Sequence, residues 1–117
     1  MLPEVAKYLY DVRQACDLLN EFTQGKTLED YQNDKLLRSA VERQFIIVGE
    51  ALMQAEKLHP KLTFSVSVLR QIIGFRNVLV HGYAVIKHQT VWGIFQHDLP
   101  VLRKEVEDIL AESESEK

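Results

Sequence analysis

Four side chains that could take part in chemistry lie within one short apolar segment, FRNVLVHGY. Arg76 supplies a guanidinium, Asn77 an amide, His81 an imidazole and Tyr83 a phenol. A helix advances by ~100° per residue, so Asn77 and His81 would be neighbours on one face. By the same rule Arg76 and Tyr83 would lie within ~20° of each other. The spacing therefore predicts that a cation, a titratable ring and two polar groups gather at one end of a helix.

This set of groups suits the cleavage of RNA without a metal ion. RNA carries its own nucleophile, the 2′-hydroxyl, so cleavage needs a base for that proton, an acid for the departing 5′-oxygen and positive charge at the phosphate. Imidazole titrates near neutral pH, and a guanidinium binds two phosphate oxygens while it stays charged. A single histidine per chain is awkward as both acid and base. A two-fold dimer would bring two copies of Arg76 and His81 into one cleft.

A purely structural interpretation also fits each of these residues taken singly. Arg76 could pair with Glu42 or Glu50 of the preceding helix. His81 could cap the end of its own helix, and Tyr83 could be a core residue with an exposed hydroxyl. Four such residues together in a segment without acids favour a site.

Apolar residues spaced at three and four predict the helices that position this segment. The predicted helices cover residues 3–24, about 35–58, about 65–82 and about 90–96, with a last helix after Pro100. No alternating strand pattern or internal repeat occurs. The sequence therefore predicts an all-α bundle of four to five helices with short connections.

Polar residues and prolines predict where these helices begin and end. Asn33 or Asp34 could cap the second helix, and residues 59–65 are expected to form a loop. Residues 98–100 are expected to form a cap or a kink, because Pro100 has no N–H to donate. The third helix is expected to bury Val80 together with its other apolar residues.

Length and charge limit the remaining possibilities. A chain of 117 residues fits one domain, expected over 1–112 with a polar tail at 113–117. The formal net charge is −3, yet residues 57–97 carry five bases and no acid, which could attract an anion. No export signal and no apolar run of membrane length is visible, so the expected location is the reducing cytoplasm, without membrane contact.

Two other chemistries are not expected. The four histidines lack the spacing of a helical His-x3-His pair, so no metal site is predicted. The lone Cys16 lies on the apolar stripe of the first helix, which is typical of a small core residue and not of a nucleophile.

The run RNVLVHGY, residues 76–83, matches an Arg-x4-His-x-Tyr signature, and the chain resembles the HEPN superfamily. Specifically, it is similar to HepT-type toxins encoded beside a minimal nucleotidyltransferase antitoxin, MntA. The segment AVERQFIIVGEA, residues 40–51, resembles the family's second helix, and residues 91–110 resemble its C-terminal helices. The likeness covers nearly the whole chain.

The resemblance implies a HEPN-type bundle that dimerises around the signature, or assembles further, and acts as a metal-independent endoribonuclease toxin without a cofactor. Arg76 would bind the scissile phosphate of a transfer or messenger RNA, and His81 would perform acid–base catalysis. Asn77 would orient His81 or the ribose. Tyr83 matches the tyrosine that the MntA-like partner adenylylates, and AMP there would add bulk and negative charge beside Arg76. Glu42 and Glu50 are expected to be structural.

Two alternatives stay open at this point. The chain could be a non-catalytic helical module that docks onto a nucleotidyltransferase through its charged cluster, or a plain structural bundle. A docking surface would not need an imidazole and could use lysine in place of arginine, whereas phosphoryl transfer benefits from both residue types.

Overall fold

Four long helices and three short helical segments make up the chain in a computed structural model that describes residues 1–115. They are, in chain order, α1 (Pro3–Thr23), α2 (Leu28–Asn33), α3 (Lys35–Leu58), α4 (Leu62–Ser65), α5 (Leu69–His81), a 3₁₀ turn (Tyr83–Val85) and α6 (His88–Ser115). No strand occurs within these described residues. The prediction of an all-α bundle with four to five main helices is confirmed.

The two longest of the early helices, α1 and α3, pack along each other and form the centre of the bundle. Helix α6 packs against α1, while α5 packs against α3. The predicted apolar stripe of α3 is buried, including Phe45 and Leu52 with no exposed surface. On α1, Leu9, Val12 and Leu19 are equally buried. Burial of these stripes is the main stabilising term, because each apolar side chain removed from water contributes about 1.5–3 kcal/mol.

Short-range polar contacts hold the connection between α1 and α3. Gly25 adopts a φ of 73°, a left-handed conformation that favours glycine. Thr27 and Asp30 form a reciprocal capping box at the start of α2. Asp34 caps α3 by accepting a hydrogen bond from the Leu37 amide at 3.1 Å, so it is Asp34 and not Asn33 that fills the predicted role.

The segment predicted as a loop at 59–65 contains the four-residue helix α4. Its only fully buried side chain is Leu62, at 1% exposure, which packs into the core cluster. Docking of this one leucine stabilises a helical turn that local sequence preferences do not indicate.

The predicted cap at residues 98–100 is wrong, because α6 runs without interruption from His88 to Ser115 with Pro100 inside it. The alternative, a kink at Pro100, stays a prediction. The ring of Pro100 lies on the exposed side of the helix, while Leu99 and Leu102 on either side of it are buried. The apolar stripe therefore continues through the proline. Its burial outweighs the hydrogen bond that the missing N–H cannot make.

Replacing Pro100 by alanine is expected to raise the free energy of unfolding by about 1–3 kcal/mol, since alanine restores the helical N–H and adds no buried group. Urea unfolding followed by circular dichroism measures this change. A lower free energy of unfolding for Pro100→Ala would contradict the account of α6 given above.

The C-terminal end of α6 extends into the region predicted as a polar tail. Residues 113–115 are helical, and the Ser115 hydroxyl donates a hydrogen bond to the Glu112 carbonyl at 2.8 Å. Residues 116 and 117 lie outside the described part of the chain. No helix within residues 1–115 has both the length and the apolarity needed to cross a bilayer.

Candidate active site

Arg76 leaves α5 on the side that faces α3, and its aliphatic stem crosses Gly49. A Cβ atom at position 49 would lie 2.6 Å from the Cγ of Arg76 and closer still to its Cβ. Only a glycine permits this contact, so Gly49 allows α3 and α5 to pack closely. The stem of Arg76 is thereby fixed between two helices.

The guanidinium of Arg76 is held at both of its terminal nitrogens. Nη2 donates to Glu50 Oε1 at 3.2 Å, and Nη1 donates to Asn77 Oδ1 at 3.0 Å. Of the two acids considered from the sequence, Glu50 is therefore the partner. Glu42 instead lies near Tyr31, where both burial and this carboxylate raise the pKa of the phenol.

Burial of the Arg76 side chain is substantial but incomplete. It is 18% exposed, whereas Glu50 is 48% exposed. The Nε atom is buried, and no atom of the described residues accepts a hydrogen bond from it. Because Glu50 is half-exposed, the pair adds little to stability. Its main effect is to orient the guanidinium, whose Nη1 and Nη2 each keep one further N–H group that donates to no atom of the described residues.

His81 lies on another side of α5 from Arg76. Five residues of helix correspond to ~140° of rotation, and His81 is exposed while Arg76 packs against α3. His81 is also the last residue of α5, followed by Gly82 as the C-cap. Asn77 contacts Arg76, and no hydrogen bond joins it to His81 in the described chain. Within one chain, Arg76 and Asn77 are therefore in contact, and His81 lies on a different side of α5 from Arg76.

Tyr83 does not continue the helix, so the predicted ~20° relation between Arg76 and Tyr83 is wrong. Gly82 ends α5, and Tyr83 begins the 3₁₀ turn. Its side chain is 74% exposed. The phenol is therefore accessible, which contradicts the structural interpretation of Tyr83 as a core residue.

Several apolar side chains next to His81 are exposed as well. Val78 and Val85 are exposed, and Val80, which was expected in the core, is 37% exposed. The prediction for Val80 is wrong because its position on α5 lies between the buried and solvated faces. Val78, Val80, His81, Tyr83 and Val85 are called the signature surface below. Val78 and Val80 lie ~160° apart on α5 with His81 between them, so this surface combines exposed apolar side chains with polar ones, as interaction sites commonly do.

A cleft of about 390 Å³ opens beside Arg76, between α1 and α3. Tyr8 and Asp11 of α1 line it together with Met53 and Gln54 of α3. The sequence alone does not mark these residues as part of a site. No regular spacing relates them to Arg76, because only the packing of three helices brings them together.

The base-rich segment at 57–97 presents less positive charge than its sequence indicates. Arg70 forms an ion pair with Glu56, just as Arg76 does with Glu50. Both acids belong to α3, outside the acid-free segment. The expected positive field is therefore partly neutralised by the neighbouring helix.

Cys16 is fully buried, and burial raises the pKa of its thiol to about 12. The thiol therefore stays protonated at neutral pH, which excludes a thiolate nucleophile in the folded chain. Across residues 1–115, no three side chains of histidine, cysteine, aspartate or glutamate lie close enough to hold a metal ion.

Gly49→Ala is expected to lower the free energy of unfolding by about 1–3 kcal/mol, because the new methyl group must push Arg76 and α5 away from α3. Gly93→Ala in α6 is the matched control, since a Cβ at Gly93 meets nothing within 4 Å. That control is expected to be neutral or stabilising by up to about 1 kcal/mol. Thermal unfolding of both variants measures the difference. Equal effects would contradict the tight contact at Gly49.

Comparison with known proteins gives relatives over nearly the whole chain. A relative in Methanocaldococcus jannaschii, named as a predicted RNase, is 32% identical over 104 residues, which cover 89% of this chain and 94% of the relative. A second predicted RNase of that organism is 28% identical over 115 residues, which cover 95% of this chain and 91% of the relative. A predicted ribonuclease HepT of Thermococcus cleftensis is 30% identical over 106 residues, which cover 87% of this chain and 92% of the relative. No solved structure is a significant match.

The family model described as "Ribonuclease HepT-like" matches residues 12–109, from the middle of α1 to the last turns of α6. The match includes every residue of the signature and the helices that hold it. The chain therefore belongs to the HepT-like ribonuclease family.

Proposed function

We propose that this protein is the toxin of a toxin–antitoxin pair and acts as a metal-independent endoribonuclease. Its active site is composite: Arg76 and His81 from two protomers line one cleft at the interface of a two-fold dimer. A cognate nucleotidyltransferase silences it by adenylylating Tyr83. Membership in the HepT-like ribonuclease family supports RNA as the substrate.

The observation that carries this proposal is the different placement of Arg76 and His81 on one short helix. Arg76 is oriented by Gly49, Glu50 and Asn77, as an anion-binding group should be. His81 is exposed on a different side of α5, about 140° around the helix axis from Arg76. One chain therefore holds half of a site, and a second copy supplies the missing groups at a shared axis.

The signature surface offers an apolar area for that second copy. Val78, Val80 and Val85 expose apolar side chains around His81. A groove of about 680 Å³ continues from Val78 and Val85 between α5 and the start of α6, where Phe75 and Ile94 line it. Dimerisation centred on His81 would bury these valines, place the two His81 rings close to each other and leave Arg76 of each chain at the edge of the interface.

Cleavage then proceeds by transesterification within the RNA. One His81 takes the proton from the 2′-oxygen, which attacks phosphorus as the bond to the 5′-oxygen breaks. The partner's His81 gives a proton to that 5′-oxygen, so one proton is removed and one is returned. Arg76 binds the non-bridging oxygens, whose negative charge increases in the transition state. The products are a 2′,3′-cyclic phosphate and a 5′-hydroxyl.

Exposure of Tyr83 fits its role as the modification site. The phenol is 74% exposed in the chain, so a nucleotidyltransferase can reach its hydroxyl. Transfer of AMP to this oxygen would add a negative phosphate and a bulky nucleoside next to the exposed valines and His81. RNA binding and closure of the dimer would both be hindered.

The decisive experiment is cleavage of labelled total transfer RNA by the purified protein in excess EDTA. Intact mass must first establish that Tyr83 is unmodified. His81→Ala at equal concentration serves as the parallel sample. Products with 2′,3′-cyclic phosphate ends from wild type alone are the expected result.

No cleavage by unmodified wild type of either transfer or messenger RNA would overturn the proposal. The non-catalytic module that docks onto a nucleotidyltransferase would then be the better account. Cleavage that disappears with EDTA and returns with a divalent cation would contradict the metal-independent mechanism.

A further inference from the structure

We propose that the cleft beside Arg76 is a base-binding subsite that selects guanine in the RNA substrate. This rests on the proposed function, because the selected base belongs to the nucleotide whose phosphate Arg76 binds. The ribonuclease would therefore cleave preferentially next to guanosine. None of the residues that would read the base belongs to the Arg-x4-His-x-Tyr signature.

The dimensions of the cleft suit a nucleotide. Its volume of about 390 Å³ lies within the range of about 300–1,000 Å³ that is typical of small-molecule sites. Tyr8 supplies an aromatic wall, and Ile47 with Met53 supplies an apolar one. Bases of single-stranded RNA bind proteins by stacking on such surfaces. Since Arg76 also lines the cleft, a base in it would lie within one nucleotide of a phosphate at Arg76.

The charges of the cleft separate the phosphate from the base. Two carboxylates line the cleft, and each pairs with a cation: Asp11 with Lys7 and Glu50 with Arg76. Arg76 is the cation of the cleft lining beside which a phosphate can bind, and the carboxylate of Asp11 disfavours a phosphate farther along the cleft. The remainder favours a neutral group that donates hydrogen bonds, which describes a base and not the sugar–phosphate backbone.

Guanine fits the available acceptors better than the other bases do. Its Watson–Crick edge presents adjacent N1–H and N2–H donors, which a carboxylate can accept as a pair. Asp11 is half-buried in the cleft and pairs at 3.0 Å with Lys7, which is largely exposed and can be displaced. The Gln54 amide adds an acceptor and donors at the same opening. Adenine, cytosine and uracil lack two adjacent donors on this edge.

Methyl NMR of methionine tests this subsite directly. The chain has two methionines, and Met53 lines the cleft while Met1 lines a different surface pocket. Protein labelled at the methionine methyl groups is titrated with guanosine 3′-monophosphate and with the adenosine, cytidine and uridine analogues. We expect the Met53 resonance to shift with guanosine 3′-monophosphate at a dissociation constant about tenfold or more below the others. The Met1 resonance is the internal reference.

Two matched variants show whether Asp11 makes the selection. Asp11→Asn is expected to remove the guanine preference, because an amide cannot accept both donors. Asp108→Asn is the control, since Asp108 pairs with Lys104 at the same spacing on α6, away from the cleft. It is expected to bind all four nucleotides as wild type does. Equal binding of the four by wild type, or a preference that persists in Asp11→Asn, would overturn the inference.

The binding test and the cleavage test can give opposite results, so they distinguish a failure of the base-binding subsite from a failure of the ribonuclease proposal. Cleavage in EDTA together with an unshifted Met53 resonance would contradict the subsite and leave the ribonuclease intact. Guanine-selective shifts of Met53 without any cleavage would support a nucleotide site and contradict the catalytic proposal.

Discussion

His81→Ala is expected to slow RNA cleavage by about two to four orders of magnitude, the usual contribution of a general acid–base group. In the composite site this single change removes both the base and the acid, because each protomer supplies one imidazole. The ring is exposed in the free chain, so its removal creates no core cavity. Single-turnover rates with a labelled RNA and excess protein measure the loss, and sedimentation velocity shows whether the dimer persists.

His59→Ala is the matched control for this experiment. His59 is also exposed and also lies at the C-terminal end of a helix, as the residue that follows α3, away from the signature surface. We expect its rate to stay within about a factor of two of wild type, as for surface substitutions outside a site. A His81→Ala protein that cleaves as fast as His59→Ala would contradict the role of His81.

Arg76→Ala is expected to reduce the cleavage rate by about 10²–10³-fold, the typical effect of removing a donor that stabilises charge in a transition state. Folding should be affected much less. The ion pair with Glu50 is partly exposed, and such pairs contribute about 0–1 kcal/mol. The measurement is the same single-turnover assay, accompanied by thermal unfolding to separate catalysis from stability.

Two further variants sharpen the test of Arg76. Arg76→Lys keeps the charge but loses the planar fork, so we expect it to recover only part of the rate. Arg70→Ala removes an arginine from the same helix that pairs with Glu56 of α3 in the same manner. We expect that control to keep nearly full activity. Equal losses for Arg70→Ala and Arg76→Ala would indicate a general charge effect and contradict a specific phosphate contact.

Most of the fold could be predicted from the sequence because helix formation and burial leave periodic patterns. The stripe from Leu9 to Leu19 is buried as the spacing predicts, and Asp34 begins α3 as a capping residue. These features depend on residues within a few turns of each other. The sequence alone therefore predicts three of the four long helices and divides the fourth, α6, in two near Pro100.

The wrong predictions from the sequence occur where tertiary contacts outweigh the local conformational preference of a residue. Pro100 should end a helix by its own chemistry, yet buried Leu99 and Leu102 carry α6 through it. Val80 has an apolar side chain of the type found in cores, yet it is 37% exposed because no neighbouring helix covers it fully. Neither outcome can be read from a window of a few residues, because each depends on which surfaces the other helices cover.

The features of the candidate site also separate into those that follow from the sequence and those that depend on tertiary packing. The sequence by itself determined the residue types, the helix that carries Arg76 and His81, and the family to which the motif belongs. Only the tertiary structure decided that Glu50 holds Arg76, that Gly49 admits its stem, and that the cleft contains residues of α1. The physical reason is that periodicity along a helix specifies which face a residue occupies. Which neighbour that face meets depends on how distant helices pack together.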